Sequence, residues 1–126
     1  MIVARQSAFA ALGDAGVGAV ALVGNPFFNS RRNQIVALSA RHAMPSIFEI
    51  RQFVEAGGLI SYGPSIGEVY RQLGVYAGRI LKGEKPGDLP VIQPTKFDLV
   101  INLKTAKVLG IEIPPTLIAL ADEVIE

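Results

Sequence analysis

AVALVGNPFFNSRRNQIVALSARHAMPSIFEI, residues Ala19 to Ile50, decides the fold. It opens on Ala19-Val20-Ala21-Leu22-Val23, a short apolar run closed by Gly24. A run of that length, partly β-branched and ended by glycine, reads as a strand buried on both faces. Gly24-Asn25-Pro26 breaks it, because Pro26 lacks a ladder donor and pushes Asn25 away from helical angles. Asn29 or Ser30 is placed to cap a following helix by accepting a free N–H of its first turn. From Arg31 to His42, Ile35, Leu38 and Ala37 fall on one helical face. Met44-Pro45 ends that helix, and Ser46 to Ile50 starts a second strand. Strand, crossover helix, strand is a right-handed parallel βαβ unit. Ligands bind such units outside the carboxyl ends of the strands, here Gly24 to Phe28 and Glu49 to Gln52.

Outward from this unit the pattern continues. Residues 3–15 read as a helix whose face carries Val3, Ala8, Phe9 and Leu12, ended by Gly13 and Gly16. Arg51 to Ala56 is a short helix stopped by Gly57-Gly58, and Leu59 to Tyr62 is a third strand ended by Gly63-Pro64. Parallel strands are therefore expected at about 19–23, 46–50 and 58–62. Ile66, Val69, Tyr70, Leu73, Ala77, Ile80 and Leu81 form one stripe, so a helix spans Ile66 to Leu81 with Gly83 beyond its end. Glu84 to Thr95 holds Pro86, Gly87, Pro90 and Pro94 and reads as an extended connector. Lys96 to Leu103 alternates like a strand. Lys104 to Leu109 is a short helix closed by Gly110, and a last helix begins near Thr116 behind Pro115. The whole is α/β.

Composition narrows the function. The chain has 126 residues, half of them hydrophobic and 18% charged, with a formal net charge of +1. That balance does not suggest nucleic acid or an anionic membrane as partner. No apolar run approaches the roughly 20 residues of a membrane-spanning helix. Cysteine is absent and histidine occurs once, so thiolate chemistry and a histidine metal centre are not expected. No nucleophile–base–orienter set can be assembled, so the chain does not read as an enzyme and no cofactor is implied. The start, Met1 to Arg5, lacks a signal-peptide profile, which would leave the chain as given in the cytoplasm.

The candidate site residues sit at strand ends: Asn25, Phe27, Glu49, Ser61, Tyr62 and Gly63. For Asn25 to Phe28 two readings stand. One is a cleft wall, with an amide that hydrogen-bonds a ligand and a ring that covers it. The other is a turn with its rings in the core. Ser61-Tyr62-Gly63 offers a hydroxyl, a phenol and backbone N–H groups to a small polar ligand, or merely closes a strand. Glu49 could take a cationic group or remain solvated. Arg31 and Arg32 read as a solvated or lobe-bridging pair, His42 as a surface residue, and Asp122 and Glu123 as helical neighbours that diverge.

NPFFNSRRNQIVALSARHAMPSIFEIRQFVEAGGLISYG, LPVIQPTKFDLVINLKTAK and LGIEIPPTLIALADEVIE resemble the carboxyl-terminal part of the solute-binding components of ABC transporters, in the group that includes tryptophan/tyrosine-type binding proteins. The resemblance runs from about Ala8 to Glu126. It implies a two-lobed, periplasmic α/β receptor with a small organic solute held between the lobes and delivered to a membrane permease. It further implies that residues 1–63 belong to the second lobe. Residues 64–126 would then pack across to a first lobe that this chain lacks, or else mediate self-association. Asn25 stands where many members of the family carry an acid before Pro-Phe-Phe, which removes a charge that could pair with a ligand amine. The alternatives are a ligand-sensing regulatory domain of the same fold and a truncated product without function.

Overall fold

The computed structural model describes residues 2–126, with side chains from Ser7 onward. Val3 as part of the first helix's apolar face lies outside the described side chains. In chain order the elements are α1 (Ile2–Asp14), β1 (Val20–Leu22), α2 (Pro26–Asn29), α3 (Arg32–Arg41), β2 (Ser46–Phe48), α4 (Gln52–Glu55), β3 (Ile60–Pro64), α5 (Ile66–Leu81), a 3-10 turn at Pro86–Asp88, β4 (Phe97–Asn102), α6 (Leu103–Leu109), α7 (Pro115–Leu120) and β5 (Glu123–Ile125). Two compact units result: Met1–Gly63 with Asp98–Glu126, and Pro64–Phe97.

The sheet order is β1-β2-β3-β4-β5. β1 pairs parallel with β2, Val20 opposite Ser46 and Leu22 opposite Phe48. β2 pairs parallel with β3, Phe48 opposite Ser61. The third strand lies two residues later than the sequence predicts. Gly57, at φ 108°, turns the chain after α4, and Gly58 is wedged so closely between the Phe48 ring and the Phe53 carbonyl that a Cβ would lie 2.6 Å from the ring. β4 reverses direction: Asn102 N–H donates to Leu59 O at 2.9 Å, and Ser65 N–H donates to Lys96 O at 3.1 Å.

Phe9, Ile35, Val36, Leu38, Met44, Phe48, Phe53, Val54 and Val100 form one apolar cluster, and Leu59, Ile101, Ala106 and Ile113 form another. Val100 and Ile101 are neighbours on β4, so they point to opposite faces, and the sheet is covered on both sides there. At β1 and β2 it is not. Ala21 is exposed and Ile47, its partner in register, is 42% exposed. The expectation of a first strand buried on both faces is therefore corrected: a short apolar run does not encode how many faces are covered.

Two further local readings change. Asn25 is the N-cap of α2 and Pro26 its first residue, with Asn25 Oδ1 accepting from Phe27 N–H at 2.9 Å. Asn-Pro is a helix start as well as a strand break. α3 accordingly begins behind Arg31, which makes no side-chain cap, instead of behind Asn29 or Ser30. At the other end α7 stops at Leu120 and the chain extends. Asp122 exchanges two bonds with the Leu99 backbone, each 2.8 Å, and lays Glu123–Ile125 beside β4 in parallel register. Asp122 and Glu123 are thus not helical neighbours.

Asn102 ties these layers together. It is buried at 5% exposure. Its Oδ1 accepts from Thr105 N–H at 3.0 Å, capping α6, and its Nδ2 donates to Val54 O at 3.3 Å. Asn102→Ala removes the cap of α6 and one of two bonds to Val54 O, which keeps its Gly57 N–H partner, so it should cost about 1.5 kcal/mol. Urea denaturation checks this, and a loss below about 0.5 kcal/mol would mean that water replaces both bonds.

In the Pro64–Phe97 unit, α5 matches the predicted span. It buries no residue fully and exposes Tyr70, Leu73, Val75 and Leu81. The connector, extended apart from its 3-10 turn, lies along α5, and Tyr76 Oη donates to Pro90 O. Between them is a mainly apolar groove of about 220 Å³ that includes Val69, Leu73, Tyr76, Ile92 and Pro94.

Candidate ligand-binding site

The parallel strands β1, β2 and β3 bring three chain ends side by side. Gly24 follows β1, Glu49 follows β2 and Gly63 lies near the end of β3. The Gly24 N–H donates to the Glu49 carboxylate. Gly63 is packed onto the Glu49 backbone. A Cβ built at Gly63 would enter the Glu49 carbonyl group and stand 2.9 Å from its carbon and 3.0 Å from Cγ. A Cβ at Gly24 would meet the carboxylate, 2.9 Å from its carbon. Glu49 therefore sits in a cradle whose two walls are both glycine. Only residues without a side chain let the strand ends close on it.

The six predicted residues are not all on one face. Asn25, Glu49 and Gly63 gather at this edge. Phe27 lies in the first turn of α2, 46% exposed. The Arg31 guanidinium lies 5.2 Å from the Phe27 ring centroid, and the Phe28 ring is tilted at 5.8 Å. Ser61 lies one position short, inside the sheet. It is 1% exposed, shares the buried face with its register partner Phe48, and its hydroxyl has no hydrogen-bond partner. Tyr62 points to the other face and is 55% exposed. Alternation along a strand forces this split. His42, expected at the surface, is half-buried with its ring stacked 6.0 Å from Phe9.

Sequence reasoning missed the part played by Gly24, which reads as a plain strand stop, and by Arg31 above Phe27. The aromatic–basic spacing of Phe27 and Arg31, four apart, is the signal that was there to use. The cations of this edge are engaged elsewhere than at Glu49: Arg31 lies over the Phe27 ring. The cation next along the chain, Arg51, is engaged by Glu55 and Glu123. Its hydrogen bonds to Glu55 and then Glu123 hold its proton more firmly than usual. None of the four ion pairs found among the described residues includes Glu49. Among those residues no group of three or more His, Cys, Asp or Glu could hold a metal ion, and no helix is long and apolar enough to cross a membrane.

A mostly parallel α/β sheet whose first three strand ends converge at one edge is the architecture on which small-molecule-binding lobes are built. Residues 5–125 match the family of ABC transporter substrate binding proteins, and the chain belongs to that family. No curated protein matches it. Three solved structures are similar to it. A conserved domain protein from Vibrio cholerae superposes with a TM-score of 0.87 at 27% identity, over 98% of this chain and 41% of that one. An ABC domain in complex with L-Trp from Streptococcus pneumoniae gives a TM-score of 0.85 at 28% identity, over 95% and 41%. The ligand-free, open CD0873 of Clostridium difficile, a substrate binding protein with adhesive properties, gives 0.66 at 22%, over 99% and 41%, a likeness of fold alone. The chain thus spans about two fifths of the length of each.

Proposed function

We propose that this chain forms one wall of the solute-binding cleft of an ABC importer's extracytoplasmic receptor, working with a membrane permease. The observation that carries the reading is the convergence of Gly24, Glu49 and Gly63 at the carboxyl ends of three parallel strands. Asn25 and Phe27 extend that wall along α2. Tyr62, on the other face, and Ser61, turned inward, contribute by shaping β3 near its end. Capture is reversible, and closure is stabilised by contacts that both walls make to one solute. The second wall would come from a lobe outside these residues, and the exposed side chains of α5 would meet that lobe. Family membership and the L-Trp complex of a relative support a small organic solute, with an aromatic amino acid as the first to test.

One wall supplies about half of the contacts of an enclosed site. Halving a binding energy of about −8 kcal/mol turns a micromolar site into a millimolar one. Amide NMR of the 126-residue chain, titrated with L-tryptophan and other small solutes, should show millimolar binding centred on Gly24, Glu49 and Gly63. Light scattering on the same sample should show self-association through the uncovered apolar surface. Perturbations confined to another surface would overturn the assignment. A monomer with a micromolar ligand would show that these residues make a complete receptor.

A further inference from the structure

We infer that Glu49 is the charge-selecting residue of this wall and that the solute it takes presents a cationic group, an ammonium or amidinium, to the sheet edge. The inference rests on the proposed reading of that edge as a cleft wall. Three observations carry it. The carboxylate is held in place: the Gly24 N–H binds it, and the Glu49 backbone is clasped by Gly63. It keeps acceptor capacity, because one N–H occupies one oxygen and a carboxylate has about four lone-pair sites. And no described cation pairs with it: the ion pairs leave it out, Arg51 is engaged by two other carboxylates, and Arg31 lies over the Phe27 ring.

A fixed carboxylate with free lone pairs and no counter-cation favours a ligand that donates charged hydrogen bonds and disfavours an anion. Asn25 is uncharged, so the negative charge of this wall comes from Glu49, at the end of the neighbouring strand. Phe27, in the first turn of α2, is 46% exposed, which suits an apolar body attached to that cation.

The test compares three probes of one shape: benzylamine, benzyl alcohol and benzoate, titrated at pH 7 and low salt and followed at the amides of Gly24, Glu49 and Gly63. Benzylamine should bind about ten-fold tighter than benzoate, with the alcohol between them. Glu49→Gln keeps an acceptor for the Gly24 N–H but removes the charge, and should bring the three affinities together. Glu49→Asp, which keeps the charge, should retain the order. An unchanged amide spectrum away from the edge verifies that each variant folds. If the probes bind these amides without charge preference, or if the order survives Glu49→Gln, the inference about Glu49 is wrong and the wall reading stands. If none of the three probes reaches these amides, the wall reading fails and this inference fails with it.

Discussion

Phe48→Ala is expected to destabilise the protein by about 4 kcal/mol, a large share of what a domain of this size has to lose. Phe48, at the end of β2, is 1% exposed. Its ring stacks on Phe53 with centroids 4.6 Å apart and planes at 11°, and Gly58 is pressed against the ring itself. Truncation removes the transfer energy of a phenyl ring and leaves a cavity that a β-strand on one side and a tight glycine turn on the other cannot readily close. The comparison is Tyr70→Ala, at a side chain that is 69% exposed, which should move stability by no more than about 0.5 kcal/mol. Urea unfolding of both variants provides the measurement. A loss under about 2 kcal/mol for Phe48→Ala would mean that the core relaxes around the void and that the stacked pair is not its keystone.

Gly63→Ala should cost about 3 kcal/mol, a large figure for one methyl group. The added Cβ meets the Glu49 carbonyl group, which is backbone and cannot swing aside. Either β3 shifts against β2 or Glu49 changes its backbone angles. Gly24→Ala is the instructive contrast. There the obstacle is the end of the Glu49 side chain, which can rotate away, so the fold should lose less than about 1 kcal/mol while the carboxylate leaves its seat. Thermal unfolding separates the two, and the amide resonance of residue 24 reports the hydrogen bond to Glu49 in each. Equal stability losses for both glycines would show that the carboxylate is as immobile as the backbone, contrary to this account.

The βαβ unit between Ala19 and Ile50 was legible in the sequence because apolar runs, a proline stop and a helical stripe all agreed. The bounds of α5 were legible for the same reason: its seven apolar positions keep helical phase without interruption. What escaped depended on partners distant in sequence. Glu123–Ile125 becomes a strand because Asp122 bonds to Leu99, a pairing that no local propensity announces. Pro26–Asn29 becomes a helix because Asn-Pro can start one as well as end a strand. At the site, the strand ends were foreseeable but the facing of each side chain was not. A two-residue shift in where β3 begins leaves the alternation intact, yet which face is covered at Ser61 and which is open at Tyr62 follows from packing, not from pattern. The seat of Glu49 needed two glycines separated by almost forty positions to be seen side by side.

The strand order equals the order along the chain, and this bears on how the molecule is made. Each strand, as it leaves the ribosome, finds its only earlier neighbour already synthesised, and none must wait for a later segment to be threaded between two that have met. Pairings between consecutive strands keep the ring that must close at each step short, and the cost of closing a ring grows only slowly with its length. The longest step is from β3 to β4, across residues 64–97. Its ends meet where Ser65 bonds to Lys96 and Leu59 to Asn102, so this is the largest ring that any strand pairing in the sheet must close.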